Sequence, residues 1–172
     1  MTVEPSPSVT AEPPSPDADR VAVTRLLGRA PQGEFEVVVR RDDGSPVVVA
    51  NAPLLETGRP MPTRFWLVDR ALTRAAGTLE SEGGVKRAEA EIDPALIRAA
   101  HDRYAAERDT LVDPGHDGPR PSGGVGGTRT GVKCLHAHLA NHLAGHDDPV
   151  GAWVVARLAE SGHHYDPSEP GA

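Results

Sequence analysis

The sequence predicts an α+β fold: a small antiparallel sheet of about three strands, followed by and packed against four to five helices. Three observations carry this. The β-branched runs all lie before residue 70, and one pair of them flanks Asp43-Gly44, a tight-turn dipeptide. Helix starts led by Asp or Asp-Pro dominate the rest of the chain. A length of 172 residues suits one domain with a real core and is short for two.

The elements follow in order. Asp17 or Asp19 caps a short helix carrying Val21, Val23, Leu26 and Leu27, and Gly28 ends it. Phe35–Arg40 reads as a strand, and Val47-Val48-Val49 as its hairpin partner. Pro53, Gly58, Pro60 and Pro62 mark a loop. Phe65-Trp66-Leu67-Val68 reads as a third strand that anchors the core. Asp69 caps the next helix, with Leu72, Ala75, Ala76 and Leu79 on one side and Gly83-Gly84 at its end. Residues 85–92 read ambiguously, with another helical turn as one reading. Asp93-Pro94 starts a helix to about Asp109. Thr130 caps a helix from Gly131 to Leu143 or Ala144, ended by Gly145. Asp148-Pro149 starts the last one, with Val150, Trp153, Val154 and Leu158 toward the core.

Residues 1–18 are rich in proline and acid and poor in apolar side chains, so a disordered tail is expected. Residues 19–160 read as a single α+β domain that contains a Gly/Pro-rich loop at 113–130. Residues 161–172 read as a second tail. No run approaches the ~18 apolar residues of a membrane span. The start lacks the basic and apolar regions of a signal peptide, so a cytoplasmic location is expected. The lone Cys134 fits this and excludes a disulfide within the chain.

The net charge is -7. Residues 1–19 and 160–172 hold seven acids and no Lys or Arg, which leaves eighteen acids and eighteen bases between them. The central domain is formally neutral. An extended basic patch is therefore not expected, and neither is a nucleic-acid partner.

The informative segment is Gly131–His146. It holds four of the eight histidines and the only cysteine. On a helix at ~100° per residue, Cys134, His138, His142 and Asn141 form one polar stripe. His136 falls off that stripe. Lys133 is the only permanent charge, so the helix is expected to be packed on most sides. Cys134, His138 and His142 are metal candidates, with zinc the metal this mix of ligands selects. The end groups of a straight helix lie ~12 Å apart, so one metal takes an adjacent pair and finds further ligands elsewhere, such as His101, Asp147 or Asp148. A buried polar seam, or a proton-transfer or anion site using Cys134, His138 and His101, explains the same stripe. Cys134 near a helix start, beside Lys133, also suits a nucleophile.

On the helix after Pro94, His101, Tyr104 and Arg108 share a face, and Arg108 is suited to hold a carboxylate or phosphate. The glycines at 123–127 suit an anion over the next helix start but lack the Walker pattern.

These motifs resemble a known family. Leu27-Gly28-Arg29-Ala30-Pro31 with Gly33, then Pro62-Thr63-Arg64-Phe65-Trp66-Leu67, then His101 and Tyr104 with Arg108-Asp109 are its first marks. Gly131–His136 and Asp148-Pro149-Val150-Gly151 complete the set. Together they resemble the actinobacterial "domain of unknown function 501" family over roughly residues 20–160. The resemblance implies no established chemistry. Genes of that family commonly neighbour those of a septum-formation initiator, an enolase and an exopolyphosphatase, an association with division or phosphate metabolism only. It adds weight to His101, Tyr104, Arg108, Lys133, Cys134, His136 and His138.

Two functions follow as expectations. One is binding of a metal or small anionic ligand where the Cys/His helix faces the His/Tyr/Arg helix. Tyr104, Arg108, Lys133 and His136 would then hold the ligand. The other is a non-enzymatic interaction protein, associated with cell division, whose partner meets the loop at 58–64 or the Trp153 face. Its Cys/His stripe would be structural.

Overall fold

The computed structural model describes residues 14–168. The remainder of both expected tails lies outside the described residues. A three-stranded antiparallel sheet is built from β1 (Phe35–Arg40), β2 (Pro46–Asn51) and β3 (Phe65–Leu67), in that spatial order. Six α-helices surround it among the described residues: α1 (Pro16–Leu27), α2 (Arg70–Ser81), α3 (Gly84–Glu91), α4 (Pro94–Thr110), α5 (Leu135–Leu143) and α6 (Pro149–Glu160). The α+β class is as the sequence predicts. The extra helix is α3, formed by the stretch whose pattern is ambiguous.

β2 pairs on both edges and is buried along its whole length. Its alternating side chains therefore serve two cores. Val49 joins Val23 of α1 and Val68 on one face, with Trp66 packed against them. Val48 and Ala50 point the other way, into the main core with Phe65, Leu72, Leu135 and Val154. The sheet is thus a middle layer, with α1 on one side and the later helices on the other.

Local capping chemistry sets most helix starts. Asp69, Asp93 and Asp148 each accept amide hydrogen bonds at the N-termini of α2, α4 and α6. α1 differs from expectation: Ser15, not Asp17 or Asp19, is its cap, because Pro16 already occupies the first helical position. After α6 the chain returns over the β1–β2 turn. Arg41 donates to the Asp166 carbonyl (2.8 Å), and the Tyr165 hydroxyl donates to the Arg40 carbonyl (3.4 Å).

The one substantial correction concerns α5. It starts at Leu135, four residues later than the sequence predicts, and Cys134 is its N-cap rather than part of its first turn. Gly131 has φ +64°. Its carbonyl accepts from His101 Nε2 (2.8 Å), and the next amide, Val132, donates to Glu89 Oε1 (2.8 Å). These partners on α4 and α3 hold residues 131–134 out of the helix. α5 then lies against β3, α2 and α6.

Candidate functional site

The N-cap position gives Cys134 a defined task. Its backbone is extended (φ -153°, ψ 144°), and its Sγ accepts from the Ala137 amide at 3.4 Å. The sulfur therefore caps the first turn of α5. Two residues on, His136 leaves the first turn of α5 toward α2. Its Nε2 donates to the Thr73 carbonyl (3.0 Å), and its Nδ1 faces Glu80 Oε1 (3.0 Å). The same Glu80 oxygen accepts from the Leu135 amide. The Cys134 thiol, the His136 ring nitrogen and the Glu80 carboxylate all place a ligand atom within 4.8 Å of one another.

The electrostatics of this cluster are specific. With Nε2–H committed to Thr73, a neutral His136 presents a lone pair to the Glu80 carboxylate, and two acceptors at hydrogen-bond distance repel. A cation between them relieves this. The hydrogen bond with Cys134, together with the Glu80 charge, outweighs partial burial and pushes His136 up to about 9. At neutral pH Nδ1 therefore carries a proton donated to Glu80, which a metal ion would displace on binding. His136 and Glu80 keep about a quarter of their side-chain surface (28% and 26%), so solutes reach them.

Cys134 also lines a cleft of about 340 Å³. Phe65 and Leu67 of β3 form one wall, and Lys133 and Ala137 stand beside Cys134 on the other. Lys133 is exposed.

The other expected site residues lie elsewhere. His101 accepts from the Val125 amide at Nδ1 (3.0 Å) while Nε2 holds Gly131, so both ring nitrogens fasten the glycine-rich segment. Burial lowers its pKa. The Tyr104 hydroxyl accepts from the Arg64 and Phe65 amides, and burial pushes its pKa up to about 12. Arg108 is 1% exposed, and its guanidinium donates to the Gly123 carbonyl (2.8 Å) and Asp109 (2.7 Å). These three residues organise backbone. A 3-10 turn at Val125–Gly127 packs against both α4 and α5, so Arg108 aims into the loop and not at Lys133-Cys134.

His138 and His142 are separated from Cys134 because the helix begins after it. His138 donates from Nδ1 to Asp148 (2.9 Å), and its ring meets His101 edge-on at 5.5 Å. Its Nε2 and His142 Nδ1 are buried and without a hydrogen-bond partner among the described residues. Trp153 is not a bare face either: its indole donates to Glu91 (2.7 Å), with Arg157 over the ring.

Sequence reasoning missed Glu80, which lies 56 residues before His136. One signal was available. A carboxylate in the last turn of a helix opposes the helix dipole, which makes Glu80 of α2 an anomaly in search of a partner.

Fold and site together define a small α+β protein with a partly exposed thiol–imidazole–carboxylate cluster beside a cleft. Among the described residues no helix is long and apolar enough to cross a membrane. The chain belongs to the family described as "Protein of unknown function (DUF501)", whose model matches residues 37–156, a span that includes Glu80, Cys134 and His136. No curated protein and no solved structure matches it.

Proposed function

We propose that this protein binds one divalent metal ion of the zinc type at Glu80, Cys134 and His136. The observation that supports this is the convergence of three ligand atoms within 4.8 Å, with the far nitrogen of the histidine already tied to a carbonyl. That tie is the usual outer contact of a metal-bound histidine: it fixes the ring and aims the other lone pair. A thiolate, an imidazole and a carboxylate match the ligand preferences of zinc. Two negative ligands balance its charge. Three protein ligands leave a fourth position open, as in zinc sites that handle small molecules and not in closed structural ones. A zinc ion there would polarise a bound oxygen or activate water. The chain's own part is to orient His136 through Thr73, to hold Glu80 on the Leu135 amide, and to place the Cys134 sulfur beside them at the start of α5.

The test is elemental mass spectrometry on untagged full-length protein after zinc loading and dialysis. About one zinc per chain is expected in the wild type and in His138→Ala. Loss is expected in Cys134→Ser and in His136→Ala. A wild type that retains no zinc overturns the reading, as does equal retention in all four.

A further inference from the structure

The cleft beside Cys134 has its own chemistry, and it narrows what the metal's open position meets. Its volume of about 340 Å³ is in the range of small-ligand sites. Leu67 gives it a part-exposed apolar wall with the buried Phe65 and Ala137 behind, and none of its lining residues is acidic. The one cation lining it is Lys133, whose ammonium forms no salt bridge among the described residues. Cys134 belongs both to this lining and to the ligand cluster, so the cleft and the cluster meet at that one residue.

The backbone decides what kind of anion fits. A phosphate at a helix start is cradled by several free amides. Here the Leu135 amide is taken by Glu80 and the Ala137 amide by the Cys134 sulfur. The Val132 amide is taken by Glu89. No arginine lines the cleft to replace them. With these amides taken and one ammonium for charge, the cleft offers fewer donors than the oxygens of a phosphate need, which suits a singly charged carboxylate better.

Resting on the metal reading above, we infer that the cleft takes a small monocarboxylate with an apolar body. Its carboxylate lies between the Lys133 ammonium and the open position of the metal at Glu80, Cys134 and His136. Its body lies against Phe65 and Leu67. The metal and Lys133 supply affinity for the charge, and the apolar walls select against small hydrophilic anions.

The test uses the full chain loaded with cobalt(II), which reports on its own ligands. A thiolate-to-cobalt charge-transfer band is expected in the wild type and in Lys133→Met, and is expected to vanish in Cys134→Ser. Its absence from the wild type overturns the metal reading, and this inference with it. Where the band is present, benzoate is titrated against the visible ligand-field bands, with inorganic phosphate as the rival probe. Saturable change with benzoate, at least tenfold weaker in Lys133→Met, supports the inference. No benzoate response, an equal response in Lys133→Met, or tighter binding of phosphate overturns it while leaving the metal site standing.

Discussion

His136 and His138 are two residues apart on one helix, and their surroundings are opposite. Around His136 the carboxylate partner, Glu80, is contacted through one oxygen, a thiol is adjacent, and solvent reaches the cluster. His138 is 0% exposed, and its partner Asp148 is full: it accepts from His138, Asn141 and the Val150 and Gly151 amides. Burial works against that carboxylate, but hydrogen bonds from His138, Asn141 and Gly151 outweigh it and hold its pKa down. A saturated carboxylate fixes the packing of α5 on α6 and has no lone pair to give. An unsaturated one beside a thiol can still take a ligand. What distinguishes the two histidines is how many donors the partner carboxylate already has.

The largest effect should come from the saturated side. Asp148→Ala strands His138 and Asn141 and uncaps α6, and should cost about 3–5 kcal/mol of stability. Glu80→Ala should cost only about 1 kcal/mol, the scale of a lost helix cap. Urea unfolding of both variants measures the contrast. Equal losses would mean that the Glu80 cluster is as structural as the seam.

The next effect concerns the crossing of α5 and α6. A Cβ on Gly151 would lie 2.3 Å from His142 Cβ and 2.4 Å from the His138 carbonyl oxygen. The helices must part to admit it, so Gly151→Ala should cost about 2–3 kcal/mol. Zinc retention in the folded fraction should stay unchanged, because the cluster lies at the other end of α5. Loss of zinc in Gly151→Ala would show that the two histidine environments are coupled.

The same contrast explains what could be read beforehand. α2, α4 and α6 were legible because their caps, Asp69, Asp93 and Asp148, are local to the helices they start. The β1–β2 hairpin was legible through its turn. α5 was misplaced at its start because the groups that hold Gly131 and Val132 out of the helix, His101 and Glu89, lie 30 and 43 residues away. For the same reason the segment Lys133–His138 stood out as chemistry, yet its grouping did not. Helical periodicity put Cys134 with His138, and the late helix start puts it with His136 and a glutamate from α2.

A pH effect of intermediate size belongs to His101, on the buried side. Its folded pKa lies below the ordinary 6.5, so the folded protein binds its proton less readily than the unfolded chain. The stability it contributes is fully present above pH 6.5 and declines as pH falls from there toward the folded value. The slope for one proton is at most about 1.4 kcal/mol per pH unit. Urea midpoints below pH 6.5 should therefore fall more steeply in the wild type than in His101→Asn. Parallel profiles would remove His101 from the buried seam's response to acid. Asp148 has the same sign but acts only below about pH 3.8, so the two separate cleanly.

The smallest expected change in stability tests the comparison hardest. Cys134→Ser keeps a side chain that can cap α5, and serine accepts from helix amides better than sulfur does. The sulfur packs against the main core but remains part-exposed, so little burial is lost. Stability should stay within about 0.5 kcal/mol of the wild type, while zinc retention falls to background. That pairing of a silent stability change with a lost ligand is what a site built for binding gives. At the seam, where Asp148 binds only its own protein, the reverse holds: stability collapses with no ligand to lose. A Cys134→Ser protein that loses more than about 1 kcal/mol would place the sulfur among the core's structural groups. The partly exposed cluster would then join His138 and Asp148 as scaffold.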